Sequence, residues 1–431
     1  MKRRVAITGI GAITPLGIGM EKNWEKVKKG VPGISKIEFP GSRLFPHSFA
    51  GSVSNFDPAD FIPKKKMIKL MNREAQMAVS AAGLAIADAG MDGCYSPHRT
   101  GLYLGTGLTS GQLPDLIKLV GNSIDENDRF SYRHMGTEAL PNCNPLLSFK
   151  ILTNMPLCYI SILFQVKGPN MVFNPWSGNT AQAIGEGIVA IQQGDIDCAI
   201  VGGCDSKTNY VGFLTFTKLG LLSKKGKSRP FDKNRDGIVL SEGACILVLE
   251  DLEKAESRNA NIYAELSGYA TVTDPDSKSG WHPQPMRGPE VLEKRTEVLE
   301  KTMKQAVSDS GLDKDGIDLI CAAANSHPVG DLVEARAVES LFKGRAAPPV
   351  IAVKTLTGDM IAAAAPFELA VCALALKEGI LPAGVAPGES DENIRLRFCK
   401  NKPEKKDIKT ALSNSFEFGN SKVSLTARRY S

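Results

Sequence analysis

Short apolar, β-branched runs alternate with longer helical segments along the whole chain, and this alternation leaves few architectures open. Residues 5–8, 100–104, 199–203, 244–249, 319–323 and 350–353 read as strands. Helices of roughly ten to twenty residues fit between them, which predicts an α/β fold. Two echoes point to internal duplication. "ADAGMD" at 87–92 and "SDSGLD" at 308–313 each end a helix shortly before a strand, and "SGN" at 177–179 and "TGD" at 357–359 each open an apolar helix. A chain of 431 residues has room for two related halves. Residues 207–240 and 272–290 read as inserted loop regions of unequal length.

Several function classes drop out early. Fifty-two basic against 47 acidic side chains give +5, too mild to call for nucleic acid. The longest apolar runs, 158–166 and 361–376, are too short or too interrupted for a membrane span, and the N-terminus carries no signal-peptide pattern, so a cytoplasmic location is expected. The nine cysteines are scattered without a CxxC pair, which predicts buried free thiols. Gly9 and Gly11 lack the third glycine of a dinucleotide fingerprint, and His47, His98, His134 and His282 lack metal-ligand spacing. No cofactor or metal is expected.

Two stretches carry candidate chemistry. In "GPNMVFNPWSGNTAQAIGEG", 168–187, a strand runs into a helix with Ser177 where a nucleophile would sit. In "PKKKMIKLMNREAQ", Lys64, Lys65, Lys66 and Lys69 open what reads as one helix continuing through Arg73, either a solvated helix start or a docking site for an acidic partner.

Beyond these, a set of motifs in fixed order resembles the elongating β-ketoacyl-ACP synthases of the thiolase-like superfamily. They are "RRVAITGIGAITPLG", "KGPN", "SRPFDKNRDGIVLSEGACILVLE" at 228–250, "PVGDLVEARAV" at 328–338, "AVKTLTGD" at 352–359 and "SNSFEFGN" at 413–420. The resemblance runs nearly end to end. It implies a five-layered αβαβα fold of two pseudo-symmetric halves, 1–255 and 256–431.

The resemblance also implies a Cys nucleophile at a helix start, two His residues that hold the malonyl carbonyl, and a nearby Lys. A helix end lowers a thiol's pKa, and two imidazole donors stabilise the enolate as CO₂ leaves. In this sequence those positions carry Ser177, Ala323 and Asp359. Lys354 is kept, as are Asp331 and Glu334, which the resemblance implies would hold it. The family's Gly-Phe-Gly-Gly gate becomes Glu417-Phe418-Gly419-Asn420. A serine without an adjacent base is a weak nucleophile, and a carboxylate opposes a developing enolate.

Three functions fit these residues. The first is a non-catalytic subunit, similar to a chain length factor, that pairs with an active ketosynthase through residues 171–175 and shapes the acyl tunnel with 144–165. The second is a repurposed serine acyltransferase or hydrolase, with His327 as base to Ser177 and Asp359 orienting it. The third is a homodimeric scaffold that docks acyl carrier protein through Lys64, Lys65, Lys66, Lys69 and Arg73. Trp176, bulky where the family keeps a small residue, is expected to close the old pocket.

Overall fold

The structure, a computed structural model, describes residues 2–108, 113–274, 289–384, 388–416, 419 and 421–431. Ten strands form the spine of one mixed sheet: β1 (Val5–Thr14), β2 (Thr100–Thr106), β3 (Asn170–Phe173), β4 (Cys198–Ser206), β5 (Glu242–Asp251), β6 (Ala264–Thr273), β7 (Leu319–Cys321), β8 (Val350–Ile351), β9 (Thr410–Ser415) and β10 (Ser421–Arg428). The first half runs β1-β5-β4-β2-β3 across the sheet, and the second half runs β6-β10-β9-β7-β8. In both, the first two pairings are antiparallel and the last two parallel. One topology thus occurs twice, and the halves join where β1 pairs with β6 from Val5↔Leu266 to Ile7↔Ala264.

The helices repeat as well. Helix α1 (Arg73–Ala89) lies on β1, β5 and β4 with α2 (Met155–Phe164) against it, whereas α4 (Pro289–Asp309) lies on β6 and β10 beside α5 (Pro328–Leu341). Between the halves run α3 (Ser177–Gln193) and α6 (Ala364–Glu378), which touch strands of both and each other. The result is helix, half-sheet, helix, half-sheet, helix, as the resemblance implies. The two echoes sit at equivalent points. Gly90 and Gly311, both at positive φ, follow α1 and α4, and in the second echo 177–179 opens α3 while 357–359 lies shortly before α6.

Composition accounts for these layers. Helix α6 is apolar on every face except for Glu368 and is buried over its first thirteen residues, as a central helix must be. All ten residues of β1 are buried, because helices cover both its faces. Gly9 and Gly11 serve that packing: a Cβ on Gly11 would stand 1.9 Å from the Ala81 carbonyl oxygen of α1. The glycine-rich start is therefore a close helix–strand contact. Among the described residues no helix is long and apolar enough to cross a membrane, and all nine cysteines are free.

The basic segment departs from expectation. The lysines do not open the long helix; they lie on and beside a one-turn helix, Lys65–Ile68. Asn72 then caps α1, its side chain accepting from the Ala75 amide at 2.9 Å. Arg73 turns inward, donating to both Glu242 oxygens at 2.8 Å and to the Val53 carbonyl at 2.8 Å. Its inclusion in a docking face is corrected, since a bidentate pair to a buried carboxylate holds it in the fold. Lys64, Lys65, Lys66 and Lys69 are exposed.

Candidate functional site

Strand β3 delivers the chain to Trp176, which occupies the N-cap of α3 in an extended conformation, so Ser177 is the first residue of the helix. Ser177 is 0% exposed, and its hydroxyl has no hydrogen-bond partner among the described residues. A nucleophilic serine needs a base within hydrogen-bond reach, and none of the described residues supplies one.

The second half brings up the other positions after β7 and β8. Ala323, 3% exposed, follows β7 and donates its amide to Glu334 at 3.0 Å. Lys354 is buried; its ammonium donates to the Ala323 carbonyl at 3.0 Å and forms an ion pair with Glu368 of α6. Glu368 was not anticipated as that partner. The signal was available: a single carboxylate in the first turns of an otherwise apolar buried helix has to be compensated. Glu334 also accepts from Asn414 at 3.1 Å, and burial first, with the Asp331 charge adding, pushes it up to about 7. Asp331 accepts the Phe231 amide at 2.8 Å and the Asn325 amide at 3.1 Å, and burial raises it to about 6. The expected clamp on Lys354 is therefore supplied at contact by Glu368, while Asp331 and Glu334 tie down the backbone around 323–325.

Asp359 is equally committed. Its carboxylate accepts from the Asn325 side chain at 2.9 Å and from the Ile361 amide at 2.9 Å. Its backbone bonds Val239 at 2.8 Å and Ser241 at 3.0 Å, pinning the loop to the segment just before β5; residues 207–240, expected to be loop, hold a helix at Tyr210–Lys218. Ile361 sits at φ 50°, a left-handed conformation that costs a β-branched residue about 1–3 kcal/mol. The Asp359 carboxylate on its amide holds it there. A second buried charge cluster, Asp205, Lys207 and Glu74, also escaped sequence reading; Asp205 feels the Asp359 charge, and burial raises Glu74 to about 7.

His327 caps α5. Its Nδ1 accepts the Gly330 amide at 3.0 Å, and burial, with the Arg235 and Arg295 charges, lowers its pKa to about 4. The ring is thus neutral near pH 7 with its proton on Nε2, a donor arrangement rather than a base. The structure gives Asp359 to Asn325 and Ile361 rather than to His327. His47 and His134 bond the Ser223 and Ile124 carbonyls, and His282 lies outside the described residues. So do Phe418 and its neighbours Glu417 and Asn420, the expected gate, and most of 272–290. No cluster of three His, Cys, Asp or Glu among the described residues could hold a metal.

Trp176 is 6% exposed and stands edge-on to Phe216, ring centroids 6.2 Å apart, in one apolar cluster with Phe213, Leu240 and Ile361. Gly419 presses on it: a Cβ there would lie 2.4 Å from the indole Cδ1.

Comparison with known proteins identifies the family and the fold. A family model described as "Beta-ketoacyl synthase, N-terminal domain" matches residues 2–255, and "Beta-ketoacyl synthase, C-terminal domain" matches 263–386. The chain is 30% identical to 3-oxoacyl-[acyl-carrier-protein] synthase 2 of Staphylococcus aureus (strain N315), over 99% of both chains. Among solved structures it resembles the ishigamide ketosynthase/chain length factor, with TM-score 0.86 and 27% identity over 100% of both chains. It shares the fold of a type II PKS ketosynthase solved in complex with its acyl-carrier protein, with TM-score 0.85 and 22% identity over 100% of both chains.

Proposed function

The chain belongs to the beta-ketoacyl synthase family, and from that premise we propose that it is a non-catalytic ketosynthase-like subunit. It pairs with an active β-ketoacyl-ACP synthase in fatty acid, polyketide or polyene elongation and helps to shape the acyl tunnel. One observation carries the reading: Ser177 is fully buried with no partner for its hydroxyl among the described residues, while Ala323, Lys354 and Asp359 all take part in internal contacts. A condensing site needs a reactive nucleophile and donors aimed at an enolate oxygen. Here a carboxylate stands where a donor would, and no described residue acts as base to the hydroxyl.

The edge of the sheet supports pairing. Strand β3 is its last strand, with Asn170 and Met171 exposed, Met171 at 53%. Exposed Leu146, Phe149, Leu152 and Ile162 add an apolar face in the segment before it, of the kind that partner subunits cover. On this reading Lys64, Lys65, Lys66 and Lys69 steer an acidic acyl carrier protein toward the pair. The free cysteines and the expected cytoplasmic location fit that setting.

The family relationship by itself favours activity, since the Staphylococcus aureus relative is named as a synthase. The serine-enzyme reading is disfavoured by the His327 ring, whose Nδ1 already accepts the Gly330 amide. The test is co-expression with a candidate active ketosynthase. Stable co-purification, with product length altered by substitutions at Phe149 or Leu152, is expected; a stable homodimer that condenses malonyl units alone would overturn the proposal.

A further inference from the structure

We infer that Trp176 is an internal plug: its indole fills the space beside position 177 that an acyl group would enter, so the growing chain cannot enter this subunit at its own Ser177. The plug takes its meaning from the proposed function, on which it rests, but its geometry stands apart from the catalytic positions.

Four observations converge. Trp176 immediately precedes Ser177 at the N-cap of α3, yet it is 6% exposed. On one side it meets Phe216 edge-on, within the apolar cluster that holds Phe213 and Leu240. Ile361 joins that cluster from the second half, two residues after the echo at 357–359, and keeps a left-handed backbone there. Over the indole lies Gly419, at φ 89°, where any Cβ would collide with Cδ1. Phe216, Ile361 and Gly419 thus close on one side chain, and Ser177 next to it is sealed from solvent.

A removed indole leaves an apolar cavity of aromatic size, and such cavities take flat apolar ligands. Trp176 therefore determines specificity by exclusion. An acyl chain made on the partner is confined to space formed across the interface.

The experiment uses the full chain and reads access to position 177. Ser177→Cys and Trp176→Ala/Ser177→Cys are treated with iodoacetamide, and alkylation is followed site by site by peptide mass. The thiolate displaces iodide, forming an S–C bond as the C–I bond breaks. The thiol introduced at position 177 in the single variant is expected to react as slowly as the buried Cys198 and Cys204. In the double variant it is expected to react roughly tenfold faster or more. Free indole should slow it again.

If the alanine variant unfolds, every buried cysteine will react together. Trp176→Phe/Ser177→Cys, which keeps a ring, then decides with an intermediate rate expected. An introduced thiol that reacts like the exposed Cys94 in the single variant, or that does not respond to loss of the indole, overturns the plug. That result would leave the non-catalytic reading intact, because Ala323 and Asp359 are untouched; an acyl adduct on Ser177 of the native chain would sink that reading instead.

Discussion

On the proposed reading, Ser177, Ala323 and Asp359 stand in for a thiol and two imidazoles, three separate chemical changes that no single reversion would repair. Ser177→Cys alone is expected to show no condensing activity in a radiolabelled malonyl assay, and robust turnover would mean that positions 323 and 359 play other roles. Lys354 is held by Glu368, both side chains nearly inaccessible. Breaking such a pair leaves an uncompensated buried charge, so Lys354→Met should cost about 3–5 kcal/mol in chemical denaturation. Lys354→Met/Glu368→Leu should recover most of it; a double variant as unstable as the single would show that Lys354 stabilises by another route. Positions 177, 323 and 359 follow from the resemblance alone, by their offsets from Gly168, Gly330 and Lys354. Glu368 and Asn325 were not, because each meets its partner across 14 or more residues of chain.

At the scale of elements, strand and helix order was readable from period and composition, while the break before Arg73 was not. Apolar spacing runs straight through residues 67–78, but Asn72 competes for the Ala75 amide and starts a new helix. That break separates four exposed lysines from an arginine facing Glu242, and it predicts opposite behaviours. Reversing Lys65, Lys66 and Lys69 to Glu should weaken binding of an acidic carrier protein, most strongly at low salt, with the melting temperature unchanged. Arg73→Ala should destabilise by on the order of 3 kcal/mol, because the Glu242 carboxylate stays buried without it. Equal effects of both changes on carrier binding and on stability would erase the distinction.

Across the whole molecule, the repeated strand order explains why two short echoes were all that sequence retained of the duplication: topology constrains apolar pattern and turn glycines, not side-chain identity. The same closely packed interior holds carboxyls with raised pKa, Glu74 and Glu334 at about 7 and Asp331 at about 6. A carboxyl raised on folding keeps its proton in the native state, so its contribution is present at low pH and lost as pH rises through the folded pKa. Stability should therefore fall between about pH 5 and pH 7, with a slope approaching about 1.4 kcal/mol per pH unit for each such group. Glu334→Gln should flatten that slope in melting experiments, and an unchanged slope would remove Glu334 from the account.

The central claim is that the fold is kept while the chemistry at Ser177 is lost. Its most direct test is intact-protein mass spectrometry of the native chain after incubation with acyl- and malonyl-loaded acyl carrier protein, with Ser177→Ala alongside. The account predicts no acyl adduct on either protein and no loss of CO₂ from the malonyl carrier. An adduct on the native chain that vanishes in Ser177→Ala would contradict it and make Ser177 a working nucleophile.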